Sequence, residues 1–338
     1  VVPFFKFNTT SAYVPKSKID LSYELLNRRK LYTLNSFKAE LGYVWKPNLF
    51  KEHSLNLFSV DIVQALNVTK LYLDSIKKIP ILQHVIDTQF ILGSNYIFTF
   101  NPLVNDAKGT GWFFNGLADL SGNIAGAVTG ANVKKGEAKR IFGVPFSQYI
   151  KGQADLRYYY AFNKNARLAN RIIAGIGIPY GNSTQLPYIK QFFSGGTNSI
   201  RAFRSRSVGP GTFRDPNADS AAFYPDQAGD VKFELNTELR YKINNIIETA
   251  FFIDAGNVWL FNKDTSTSYP RPGVQFTKNF YKELAVGAGI GLRLDLTILL
   301  LRLDVAVPVR KPWLKAGIPG KNFDLSNPVF NLGIGYPF

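Results

Sequence analysis

The sequence predicts an all-β fold, a transmembrane antiparallel β-barrel, and three observations predict it. Hydropathy alternates with a period of two through the C-terminal third. Connections alternate between tight turns and long loops. The 338 residues are rich in aromatics, with 28 Phe and 17 Tyr, yet hold no apolar run of the 18 or so residues that a helical span needs. A soluble sandwich would also alternate. The barrel is favoured by outward faces dense in Leu, Phe, Tyr and Trp. It is favoured too by aromatics near strand ends (Tyr241, Trp259, Tyr336, Phe338), and by opposite faces that mix Arg with Asp or Glu.

The expected strands before residue 192 are Ile19–Asn27, Tyr32–Trp45, His53–Gln64, Thr88–Asn101, Gly109–Ile124, Gln148–Phe162, Ala166–Pro179 and Leu186–Phe193. In the sixth, Lys151, Gln153, Asp155, Arg157 and Tyr159 share one face. Residues 67–87 read differently: Leu71, Ile76, Ile79 and Leu82 are spaced nearer to a helix, and Pro80 interrupts, so a loop with a short helix is expected. From Phe192 to Gly211 the chain reads FFSGGTNSIRAFRSRSVGPG. Its glycines permit backbone conformations closed to other residues, and a long shaped loop in a compact chain usually carries function.

Five strands follow, at 231–243, 248–260, 283–296, 298–309 and 329–338, which makes about 13. In the first, Lys232, Glu234, Asn236, Glu238, Arg240 and Lys242 oppose Val231, Phe233, Leu235, Leu239, Tyr241 and Ile243. In the third, Gly287, Gly289, Gly291, Arg293 and Asp295 oppose Leu284, Val286, Ile290, Leu292 and Leu294. In the fourth, Arg302, Asp304 and Ala306 oppose Leu301, Leu303, Val305 and Val307. Tight turns at 244–247 and 296–297 alternate with long connections at 262–281 and 310–328. Outer-membrane barrels keep short turns on the periplasmic side. By that parity Phe338 is periplasmic and the 192–211 loop is rooted outside.

A net charge of +16 admits nucleic acid or anionic lipid as a partner. Lys and Arg fall within amphipathic strands and form no stripe interleaved with stacking aromatics, which argues against nucleic acid. The absence of Cys excludes thiol chemistry and disulfides. His53 and His84 lack ligand spacing, so no metal, cofactor or catalytic set is expected. The chain opens at Val1 without a leader and contains no Met, so an N-terminal part is expected to precede it.

Gly287-Ala-Gly289-Ile-Gly291 lies in a strand with no helix after it. It reads as a place where something packs closely, not as a dinucleotide loop. Asp254 in Phe251–Trp259 faces the lumen and needs a partner or water. Arg201 is a candidate partner if the loop folds back inside.

These residues carry a resemblance. GGTNSIRAFRSRSVGPG, then FFIDAGNVW one strand later, then a chain ending NLGIGYPF, resembles the barrel of BamA/TamA-type outer-membrane assembly factors, with the TamA-like lipoproteins (TamL) of Bacteroidota nearest. The resemblance implies a 16-strand barrel with five strands after the loop. It implies that the loop motif, Ile200, Arg201, Ala202 and Phe203, enters the lumen, and that Arg201 meets the partner motif Phe252, Asp254 and Gly256. Ala202 departs from the family's glycine. The C-terminus resembles the outer-membrane recognition signal at Asn331, Gly333, Tyr336 and Phe338. Pro337 lacks an N–H and would thin the pairing at a weak seam between first and last strands. Eight strands before the loop, where eleven are implied, mean either that earlier strands and the POTRA domains precede this chain or that strands are miscounted. Residues 1–338 are thus expected to be barrel throughout.

The implied function is assembly, insertion or translocation of outer-membrane proteins, without enzymatic activity. Its expected partners are unfolded outer-membrane clients, the bilayer with anionic outer-leaflet lipid, and a TamB-like periplasm-spanning or other accessory protein. A passive channel with a basic lumen and an adhesin with binding loops are the alternatives.

Overall fold

The computed structural model describes residues 13–104, 109–215, 223, 225–264, 269–296, 298–314 and 327–338. Residues 1–12, the turn position 297 and the loop tips at 265–268 and 315–326 lie outside the described residues. The strands are β1 (Lys16–Arg28), β2 (Tyr32–Asn48), β3 (Lys51–Leu66), β4 (Gln89–Phe100), β5 (Gly111–Ser121), β6 (Arg140–Ile141), β7 (Val144–Ser147) and β8 (Tyr149–Ala161). Then follow β9 (Ala166–Pro179), β10 (Phe192–Phe193), β11 (Ala228–Gly229), β12 (Val231–Lys242), β13 (Ile247–Trp259), β14 (Ala285–Asp295), β15 (Leu300–Arg310) and β16 (Val329–Ile334). Three helices, α1 (Lys70–Lys78), α2 (Gln83–Ile86) and α3 (Asn123–Thr129), lie in connections.

The barrel wall is one antiparallel sheet in the order β1-β2-β3-β4-β5-β8-β9-β12-β13-β14-β15-β16. That is twelve strands, seven before the glycine-rich loop and five after. The expected strand at 186–193 is not in the wall. Its residues form a 3-10 turn, Tyr188–Lys190, behind Pro187, and then β10, which pairs with β11. Leu186, Pro187 and Tyr188 are all buried, so the segment packs inward as a turn without the alternation of a strand. The last strand is also shorter than expected. It ends at Ile334; Gly335 turns with φ +78° and donates to the Leu300 carbonyl at 2.8 Å. Pro337 therefore lies beyond the ladder and thins no pairing.

Outward side chains on the wall strands are large and apolar: Ile19, Leu21, Phe58, Phe251, Ile253, Ile290, Phe330 and Leu332 are all exposed. A bilayer covers such a face at no cost, whereas a water-facing sheet would expose it. Aromatics gather at the tight-turn end, where Trp112 lies 4.4 Å from Tyr158 and Trp45 stacks on His53 at 4.9 Å. Tyr241 joins this outward set. Trp259 does not: it is fully buried against Phe276 and Phe280. Tyr336 and Phe338 turn into the lumen. Arg240 lies 4.1 Å from the Tyr336 ring and donates to the Phe338 carbonyl at 3.2 Å, and Phe338 packs on Tyr159 and Ala169 of β8 and β9.

At the other end, 67–87 folds into α1, a 3-10 turn and α2, one helix more than expected. Tyr72, Ile79, Leu82 and Val85 pack on Tyr32, Leu34 and Tyr188, which covers the mouth of the barrel. The His84 Nε2 donates to the Leu186 carbonyl at 2.8 Å, and burial pushes the imidazole below its ordinary value of 6.5, although Asp87 at 3.9 Å opposes this. The undocked loop thus binds a proton more readily than the docked one. Docking is fully stable above the ordinary value and weakens as pH falls below it.

Two outcomes follow. Ile253→Lys, at mid-height on the lipid face, is expected to cost about 2–4 kcal/mol of folding stability into a bilayer, against about 0–1 for Tyr241→Lys near the interface; urea titration in vesicles checks both. Proteolysis of segment 67–87 is expected to accelerate between about pH 7.5 and about pH 5 relative to His84→Gln measured at each pH. Identical pH profiles for the two proteins would refute this.

Candidate functional site in the barrel lumen

The loop from Ser194 to Gly211 descends from the long-loop end into the lumen. Gly195 and Gly196 start the descent with φ of +96° and +105°, a region that side-chain-bearing residues rarely enter. The Gly195 N–H donates to Ser199 Oγ at 2.9 Å, and Ser199 donates to Glu234 at 2.6 Å, which ties the turn to β12.

Arg201 is fully buried. Its Nε and Nη2 reach the two oxygens of Asp254 at 2.8 and 2.9 Å, and its backbone N–H donates to the same carboxylate at 3.1 Å. Its Nη1 donates to Glu238, and its guanidinium carbon lies 3.4 Å from the centre of the Phe252 ring. A paired guanidinium–carboxylate fork of this kind fixes direction as well as distance. Sequence reasoning named Arg201, Asp254 and Phe252, and the structure brings all three together. Ile200, Ala202 and Phe203 are also buried, against Phe252, Ala285 and Ala306.

The network extends beyond that pair. Glu238 accepts from Arg240 at 2.8 Å and from Arg293 at 3.1 Å. Arg293 also binds Asp304 at 2.5 Å, and Asp304 lies 3.4 Å from Arg302. Four guanidinium groups thus face three carboxylates. The excess cation, Arg302, is met by the loop itself: it donates to the Thr197 carbonyl at 2.9 Å and to Asn198 Oδ1 at 2.7 Å. Asn236 donates to the Ser199 carbonyl and to Asp254, both at 2.9 Å. Sequence reasoning assigned no role to Glu238, Arg293, Arg302 or Asp304. The signal was present, since all four sit on the polar faces of their strands, but alternation does not say which charges share a height.

The C-terminal residues separate into two groups. Asn331 donates from Nδ2 to the Arg201 carbonyl at 2.9 Å, so the edge strand β16 is bonded directly to the loop. Gly333 lies under Arg302, where an added Cβ would come within 2.7 Å of the guanidinium. Tyr336, Pro337 and Phe338 lie in the inward tail. Gly256 leaves room beside β12, where a Cβ would meet the Phe233 carbonyl at 2.7 Å.

The glycine run on β14 explains Ala202. A Cβ on Gly287 would sit 2.3 Å from the Ala202 Cβ, and one on Gly289 would sit 2.5 Å from the Phe252 ring. Ala202 keeps a negative φ, so alanine is unstrained there, and the opposite strand makes the space. Of the other loop arginines, Arg206 binds Asp226 at 3.0 Å and lies over Phe193 at 4.4 Å, away from this cluster. Arg204 is exposed.

Gly287→Ala is expected to loosen the seated loop by about 1–3 kcal/mol through overpacking, and Ala202→Gly on that background to recover most of it. Protease cleavage within 195–209 reads the effect; equal cleavage of the single and double variants would contradict it.

Residues 130–338 match the Omp85 superfamily domain. Outer membrane protein assembly factor BamA of Neisseria meningitidis serogroup B is 24% identical over 169 residues, 46% of this chain and 20% of that protein. The chain therefore spans a small part of that relative's length. BamA from Haemophilus ducreyi lacking POTRA domains 1–3 shares the fold with a TM-score of 0.63 at 16% identity, over 94% of this chain and 57% of that one. CdiB from Escherichia coli follows at 0.51 and 12%, over 92% and 48%.

Proposed function

The chain belongs to the Omp85 superfamily and is an integral outer-membrane β-barrel, and from that premise we propose that it assembles or translocates client proteins at a lateral seam between β1 and β16. The observation that carries this reading is the Asn331 bond to the Arg201 carbonyl. It ties the edge strand to a loop that is itself clamped to β12 and β13. One edge of the sheet is thereby braced from within at the Arg201 cluster; the other, β1, meets the loop at its outer end, where Arg28 and Arg206 share Asp226.

The two edges are also unequal. β1 offers 13 residues and β16 only six, and no pairing joins them among the described residues. Unpaired backbone N–H and C=O groups are costly in hydrocarbon, so an incoming strand gains by adding to such an edge. In this reading a client outer-membrane strand pairs with β1, grows as a hairpin, and leaves laterally into the bilayer. The role is one of templating and needs no catalytic group. Arg201, Asp254 and Phe252 hold the loop; Asn331 and Gly333 pass its constraint to the seam; Tyr336, Pro337 and Phe338 close the periplasmic end of the lumen.

Within the superfamily, the Ile200–Phe203 motif, apart from Ala202, and the ending NLGIGYPF support placement with the TamA-like lipoproteins of Bacteroidota. That placement brings preceding POTRA domains, additional barrel strands, and a TamB-like or other accessory partner as part of the proposal. A passive anion channel fits less well, because the loop, the helical cap and the inward tail occupy the lumen.

Arg201→Ala and Asp254→Ala each leave a buried charge without its partner, a loss of about 3–5 kcal/mol. Both are expected to unseat the loop and to lower outer-membrane protein levels in cells depleted of the native protein. Full complementation by both variants would sink the proposal. Because the chain has no native cysteine, a disulfide engineered between β1 and β16 is expected to leave the barrel folded and to block client insertion until reduced.

A further inference from the structure

We infer that the outward face of β1–β3, beside the seam, is a site for one phosphorylated lipid of the outer leaflet, its phosphate on Arg29, Lys30 and Lys70 and an acyl chain in an apolar dent lower on the same face. This rests on the orientation used above, with the long-loop end outside.

The dent comes from one small residue in a field of large ones. Strand pairing lays the outward residues in rows: Tyr23–Phe37–Ile62, then Leu21–Ala39–Val60, then Ile19–Leu41–Phe58. Ala39 is the one position in these rows without a large side chain. The resulting hollow, bounded by Leu21, Tyr23, Phe37, Val60 and Ile62, measures ≈ 420 Å³. Leu21, Tyr23 and Phe37 around it are more than half exposed. At this depth the surrounding medium is hydrocarbon, so the occupant is an acyl chain.

Above the dent the same face gains polar residues over two rows. The next row is Leu25–Asn35–Gln64 and the one above it Asn27–Thr33–Leu66, so each sets two polar side chains beside one exposed leucine. The Asn35 Oδ1 is buried and has no hydrogen-bond partner among the described residues. From the Asn27 row down to the Ala39 row is three steps of two residues, roughly 20 Å along a strand. With a tilt of about 40° this becomes about 15 Å of depth, half of the hydrocarbon core. That is the reach of one leaflet.

Cations stand at the top of this path. Arg29 and Lys30 form the β1–β2 turn, and both are exposed. Thr69 donates from Oγ1 to the Lys30 carbonyl at 3.0 Å and from its N–H to the Leu31 carbonyl at 2.9 Å, which sets Lys70 beside the turn. Asp74, the acid of α1, is bound to Lys77 at 2.7 Å. Arg28, by contrast, points inward to Asp226. Among the described residues no carboxylate lies within ion-pair distance of Arg29, Lys30 or Lys70. Three cations at headgroup height, over a partly polar step and a chain-sized hollow, match a lipid with a phosphate at its head.

Native mass spectrometry of the purified protein in detergent tests the site, with a bis-phosphorylated lipid A analogue titrated against phosphatidylcholine. The expected result is preferential retention of the phosphorylated lipid. Arg29→Gln, Lys30→Gln and Lys70→Gln are each expected to lower its affinity about five-fold. Ala39→Phe, which fills the hollow, is expected to lower retention of both lipids, whereas the same change at Ala288, outward on β14 beyond the seam, is expected to leave retention unchanged. Absence of preference, or equal retention by Ala39→Phe and Ala288→Phe, would overturn the site. The assay contains no client, so its failure is separate from failure of the assembly role.

Discussion

A single guanidinium group, that of Arg201, sets the constraint on which the rest of the lumen depends. It is buried in the middle of a membrane protein, where an unpaired charge is untenable. The chain meets the charge with Asp254 and Glu238, supports those carboxylates with Arg240 and Arg293, and closes the set with Asp304 and Arg302. Each added cation requires another acceptor, and the last one takes its acceptors from the loop. The network is therefore circular: the loop supplies the first charge and answers the final one.

That circularity has a mechanical consequence. The strands β12 to β16 each give a side chain to the loop or to its clamp, so they move as one piece with it. Seven of the twelve wall strands lie before the loop, and β1, the far edge, is among them. The loop also reaches that half: Arg171 of β9 donates to the Asn198 carbonyl at 3.3 Å, and Arg28 at the end of β1 shares Asp226 with Arg206 of the loop. The glycines of β14 are the counterpart in packing: they remove side chains where the loop presses on the wall, which lets Ala202 stand where the resembling family has glycine.

Much of this was legible in the sequence, and the parts that were not share a cause. Alternation reported the faces of β12, β14 and β15 correctly, because a half-lipid, half-lumen environment imposes a period of two. The Arg201–Asp254 pair was legible because the motif resemblance joined two distant segments. Glu238, Arg293 and Asp304 were not, since strand stagger decides which charges share a height, and one sequence does not state the stagger. Leu186–Phe193 was misread because a proline-led turn packs consecutive residues, Leu186, Pro187 and Tyr188, into the interior, and their apolar character alone reads as part of a strand. The inward turn of Tyr336 and Phe338 hangs on Gly335 and on Arg240, nearly a hundred residues away.

The Arg201 network holds the loop inside the barrel as firmly as the wall holds itself. Amide hydrogen exchange of the protein in lipid nanodiscs measures this directly. The amides of 195–209 are expected to exchange as slowly as those of β12 and β13, and far more slowly than those of the β1–β2 turn. Exchange of 195–209 at the rate of that turn would contradict it.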